Sequence, residues 1–124
     1  LMIALRNSKS YSSASALSPI CNPIDCPWGQ KAFANYLGGD RSAWKEYDST
    51  ELIKTSENCV PILIDQGGSD EFLIEQLKPD NLVSVAQERK LSFEYRLQRG
   101  YDHSYFFVSS FIEEHLNFHA RHLS

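Results

Sequence analysis

The chain has 124 residues, enough for one domain or part of one, and 42% of them are apolar, which places it among folded rather than disordered sequences. A formal net charge of −4 gives it no pull toward nucleic acid phosphates or anionic lipid, and no apolar run approaches the roughly 20 residues of a membrane span. Three cysteines, Cys21, Cys26 and Cys59, are too few and too unevenly placed for a secreted disulfide scaffold, so a reducing cytoplasmic setting is expected.

The opening Leu1-Met2-Ile3-Ala4-Leu5 shows neither a basic leader nor a cleavage site and is unlike a signal peptide; it reads as the tail of a helix that stops near Asn7. Ser12 to Ile20 alternates small and apolar residues up to Pro19, as a short strand buried on both faces would. From Cys21 to about Leu52 periodicity fades among Pro23, Pro27, Gly29, Gly38 and Gly39, although five aromatics fall there. Short helices are expected at 29–37 and 42–47. A long segment of this kind inside a compact domain is usually a lid or a pocket wall.

Val60 to Asp65 is nearly all apolar and is halted by Gln66-Gly67-Gly68, the pattern of a fully buried parallel strand. After Ser69-Asp70 and the short run Glu71–Leu77, Pro79 opens a helix with Leu82, Val85 or Val83, and Ala86 at helical spacing. Leu91 to Gln98 alternates with Leu91, Phe93, Tyr95 and Leu97 on one side, a strand nearer the sheet edge. Beyond a bend at His103, Tyr105, Val108, Phe111, Ile112, Leu116 and Leu123 mark the expected inner stripe of a final helix. The order helix, strand, lid, strand, helix, strand, helix predicts an α/β fold, a parallel sheet with crossover helices.

Function in such sheets gathers beyond the carboxyl ends of the strands. Two of the loops there carry an acid and then a histidine, Asp70 and His103, each following its own strand. A carboxylate that holds an imidazole in one tautomer needs this separate backbone support. Asp70 suits that role better than Asp65, which is expected to cap its own loop's amides, or Asp102, whose side chain points away from that of its neighbour. The competing structural role for Asp70 is an N-cap of the run that follows. Acid followed by histidine is the order that comes after the nucleophile in hydrolases of this class, yet no Gly-x-Ser-x-Gly occurs within the 124 residues.

Longer blocks sharpen this reading. Ser18-Pro19-Ile20-Cys21-Asn22-Pro23, Cys26-Pro27-Trp28-Gly29-Gln30-Lys31-Ala32-Phe33, Ile64-Asp65-Gln66-Gly67, Asp70-Glu71-Phe72-Leu73, Gln76-Leu77-Lys78-Pro79-Asp80-Asn81 and Gly100-Tyr101-Asp102-His103-Ser104-Tyr105 resemble the S-formylglutathione hydrolase (esterase D) family along the whole chain. The resemblance implies the C-terminal part of an α/β-hydrolase fold, residues 1–124 as one portion of one domain, with a cap-like segment at about 21–52. It implies a serine thioesterase that cleaves the small-molecule thioester S-formylglutathione to glutathione and formate with a Ser-Asp-His triad, using no metal and no organic cofactor. Asp70 matches the triad aspartate and His103 the triad histidine. The nucleophile motif would precede Leu1, so the chain alone is expected to lack esterase activity; a homo-oligomer of the longer parent is compatible with the resemblance. The competing class is a non-catalytic remnant that keeps only part of the fold.

Trp28 and Phe33 are candidates for the pocket wall, with plain packing of the cap as the equal alternative. Cys21 and Cys26 are read as reduced loop cysteines, because no second ligand pair stands at zinc-site spacing. His115, His119 and His122 are read as a solvated helix face favoured by the helix dipole, and Tyr105 and Phe106 as packing that fixes the His103 loop. Three strands of a larger parallel sheet would leave an unpartnered edge, so self-association or partial unfolding of the isolated chain is expected.

Overall fold

The computed structural model describes residues 1–123. Strands β1 (Ala14–Leu17), β2 (Ile62–Gly67) and β3 (Phe93–Gln98) form one sheet in the order β1-β2-β3, all parallel, with Ile62 opposite both Ala14 and Phe93. Every residue of β2 is buried, as its unbroken apolar run predicts for a central strand, whereas β3 alternates and leaves Leu97 half exposed. β1 is only partly buried beyond Ala14.

The helices are α1 (Met2–Arg6), α2 (Pro27–Leu37), α3 (Arg41–Trp44), α4 (Ser49–Thr55), α5 (Pro79–Glu88) and α6 (Tyr105–His122). The core joins Ala4 and Leu5 of α1, Ile53 of α4, and Leu82 and Ala86 of α5 to Ala14, Ile62 and Ile64 of the sheet. Side chains alternate across a strand, so Leu63 and Asp65 turn to the opposite face, where α6 lies. Pro79 starts α5 at a position where the missing N–H costs nothing, and Leu82 and Ala86 then fall on one face.

The segment between β1 and β2 holds the short helices expected at 29–37 and 42–47, as α2 and as α3 with the turn after it, and adds α4, which was not expected. Cys26 caps α2, its Sγ accepting from the Gly29 N–H, and Pro27 sets the first turn. Asp48, fully buried, caps α4 through the Glu51 N–H and also accepts from Asn22 Nδ2 at 2.8 Å and the Ile24 N–H at 2.9 Å. One carboxylate thus ties both ends of the segment together. Asp48-Ser49-Thr50-Glu51 is the capping-box pattern, a signal present in the sequence that fading hydrophobic periodicity conceals. All three cysteines are free; burial pushes the Cys21 thiol up to about 12, so it stays protonated.

The inner stripe of α6 differs from the expected one. Phe107, His115 and Phe118 are buried, while Ile112, Leu116 and Leu123 are 42%, 62% and 73% exposed. The helix is rotated by about one residue because two histidines, not leucines, complete its inner face. His115 reaches Asp65, and His119 lies between the hydroxyls of Ser13 and Ser15, at 2.8 and 2.9 Å. The solvated-face reading therefore fails for His115 and His119. Tyr105 does not pack as expected, being 92% exposed, whereas Phe106 stacks on Tyr101 of the His103 loop at 5.6 Å although it is 71% exposed; Phe107, buried, is set against the same ring.

Candidate active site

Two loops zip together past the carboxyl ends of β2 and β3. The Gly68 N–H donates to Gln98 O and the Ser69 N–H to Tyr101 O, both at 2.9 Å. Gly67 makes this approach possible, since a Cβ there would collide with the backbone of Tyr101 and Asp102. Gly100, at φ +81°, then turns the second loop back toward the first.

This zipper brings Asp70 and His103 into contact, with Nδ1 of His103 2.8 Å from Asp70 Oδ2. The carboxylate is fully enclosed, whereas the imidazole is 42% exposed. Asp70 Oδ1 accepts from the Phe72 N–H at 2.9 Å, and Oδ2 also accepts from Gln66 Nε2 at 3.1 Å. Asp70 therefore meets the local capping role and the imidazole together; the alternatives left open by its position are not exclusive. An ionised carboxylate only accepts, so Nδ1 carries the ring proton and Nε2 keeps its lone pair. No described residue hydrogen-bonds that Nε2.

His103 lines a cavity of about 300 Å³ with Leu17, Ser18, Ser104, Tyr105, Phe107 and Val108. Leu17 ends β1 and Ser18 follows it, so the segments after β1 and β3 meet at this cavity, and the loop after β2 reaches it through the Asp70–His103 contact. Ser18 is held at φ +50° and its Oγ is enclosed without a partner; it makes no bond to His103. Among the described residues no cluster of three or more His, Cys, Asp or Glu could hold a metal ion.

The two wall candidates lie differently. Trp28 packs its ring on Phe72 at 4.7 Å, and Phe72 meets the His103 ring edge-on at 5.5 Å, so Trp28 stands one ring removed from the imidazole. Phe33 packs instead against the buried Trp44, at 5.7 Å, within the cap. Neither lines the cavity at His103. Phe72 is the aromatic that pattern reading misses; its signal is its place two residues after Asp70, where the cap geometry turns it toward the site.

Asp65 forms a second acid–histidine pair. His115 Nε2 lies 2.7 Å from its Oδ2, Arg96 pairs with both of its oxygens, and Gln98 Nε2 donates at 2.9 Å. Asp65 is not a cap for its own loop, because β2 points its side chain at α6 rather than along the chain. Burial acts to raise its pKa, but the bonds from His115, Arg96 and Gln98 outweigh that and hold it down to about 2.

Comparison with known proteins places this geometry. The Esterase family model matches residues 1–118. S-formylglutathione hydrolases from Rattus norvegicus and Bos taurus are 52% and 49% identical to the chain across all of it, and the chain spans 45% of the length of each. The solved S-formylglutathione hydrolase of Agrobacterium tumefaciens is 38% identical and superposes with a TM-score of 0.93, covering 99% of this chain and 44% of that one. The Staphylococcus aureus S-formylglutathione hydrolase shares the fold at a TM-score of 0.69 and 18% identity, over 94% of this chain and 48% of its own. The chain belongs to the esterase family, and its parallel sheet with covering helices is part of an α/β-hydrolase fold.

Proposed function

We propose that the chain supplies the orienting carboxylate, Asp70, and the general base, His103, of a serine thioesterase that hydrolyses S-formylglutathione to glutathione and formate in the cytoplasm. The observation that carries this reading is the 2.8 Å contact between His103 Nδ1 and an enclosed Asp70 oxygen, with His103 lining a cavity beyond the strand ends. The similarity to S-formylglutathione hydrolases supports the substrate class.

In this mechanism Nε2 takes the proton of a serine hydroxyl as its oxygen attacks the formyl carbon, and the imidazolium donates it to the departing glutathione sulfur. A water then enters by the same route in reverse order, its proton passing through Nε2 to the serine oxygen as formate leaves. Asp70 stabilises the imidazolium and holds the tautomer. Phe72, with Trp28 behind it, forms an apolar wall beside the ring. No metal or organic cofactor takes part in any of these steps.

The 124 residues hold no Gly-x-Ser-x-Gly; in this reading the nucleophile and its oxyanion-binding amides are supplied by sequence outside them. The chain alone is therefore expected to give no turnover of S-formylglutathione or of p-nitrophenyl acetate above buffer. Turnover by the chain alone that disappears in His103→Ala would refute this assignment of roles.

A further inference from the structure

We propose that Gln66 is a positioning residue for the Asp70–His103 pair: its side-chain amide donates to Asp70 Oδ2 and fixes the carboxylate plane toward the Nδ1–H of His103. The inference rests on the reading of that pair as orienter and base. Gln66 is the only side chain besides His103 that hydrogen-bonds the Asp70 carboxylate among the described residues.

Gln66 is fully buried at the end of β2. Its Nε2 donates to Asp70 Oδ2 and to Gly67 O, both at 3.1 Å. Rotating the amide by half a turn would set its oxygen against these two acceptors, so the network admits one orientation. In that orientation Oε1 is enclosed and accepts from no described residue. A buried amide oxygen without a donor is unfavourable, and a methionine of the same length would fill the space without it. The amide is thus explained by what its nitrogen does.

That nitrogen shares Oδ2 with His103 but is itself fully buried. The Phe72 N–H holds only Oδ1, and His103, at 42% exposure, is the least constrained member of the group. With Oδ1 fixed by one donor and Oδ2 by Gln66, rotation of the carboxyl group about its Cβ–Cγ bond is blocked from both ends. The lone pair left on Oδ2 then faces His103 alone.

The test is NMR of the isotope-labelled chain with Gln66→Met and Asp70→Ala. In the unmodified chain the ring nitrogen shifts of His103 are expected to show the Nδ1–H tautomer, and one Gln66 Nε2 proton is expected to move as the imidazole gains its proton. Asp70→Ala abolishes the Nδ1–H preference; if it does not, the reading of the pair itself fails. Gln66→Met lowers the Nδ1–H population and shifts the Nδ1 proton upfield while Asp70 is still present. If Asp70→Ala has its effect and a folded Gln66→Met leaves both signals unchanged, the role of Gln66 is overturned and the pair stands. Should Gln66→Met not fold, the unmodified chain decides: a Gln66 amide indifferent to the protonation of His103 overturns the proposal.

Discussion

Asp65 and Asp70 are near neighbours in sequence, and each bonds a histidine from the far end of the chain, yet water separates their roles. The His115 side chain is 3% exposed and that of His103 is 42% exposed, while both carboxylates are fully enclosed. An enclosed pair serves as a bolt between α6 and the sheet; a half-exposed one can exchange a proton with a substrate. Removing His115 withdraws a donor from a buried charge, so His115→Ala is expected to cost about 3 kcal/mol of unfolding free energy in urea, and His103→Ala no more than about 0.5 kcal/mol. Equal losses would contradict the distinction. Asp65 is held near 2, below its ordinary 3.8, so its contribution is complete above about pH 4 and is lost as pH falls toward 2. Urea midpoints are expected to drop across that window, and Asp65→Asn to flatten the drop. Asp70 and His103 were legible in the sequence because each follows a strand and an edge loop needs no knowledge of packing. The pairing of Asp65 with His115 was not, because it depends on which way α6 faces, and that face is completed by imidazoles that a hydropathy pattern counts as outward.

At the scale of elements, the site is held by two loops that share backbone hydrogen bonds, with glycine where they cross. In Gly67→Ala the new methyl meets main chain rather than a movable side chain, so the 98–103 loop must shift. The expected cost is about 2 kcal/mol, together with loss of the His103–Asp70 contact. Gly100→Ala is different in kind: no atom lies within 4 Å of the added group, and only the φ of +81° opposes it, so about 1 kcal/mol is expected. Thermal melts of the two variants would check that order, and a larger loss for Gly100→Ala would contradict it. β2, β3 and α5 were readable from their periodicity. α4 was not, because its register is set by the buried carboxylate of Asp48 rather than by an apolar stripe.

At the scale of the molecule, three parallel strands bring one loop each to a common rim, and the first of them, β1, pairs only with β2. Its outer edge offers backbone N–H and C=O groups to a further strand, and exposed Tyr105 at the cavity gives apolar surface against which further chain can pack. The chain spans 45% of the rat relative's length, and the proposed nucleophilic serine belongs to sequence outside these 124 residues. In the proposed mechanism His103, oriented by Asp70, serves that serine. The most direct measurement mixes this chain with the part of the Rattus norvegicus S-formylglutathione hydrolase that it does not span and follows S-formylglutathione hydrolysis. Turnover absent from either piece alone is expected in the mixture, reduced at least about 1,000-fold by His103→Ala or Asp70→Ala. Turnover in the mixture that survives both substitutions would contradict it.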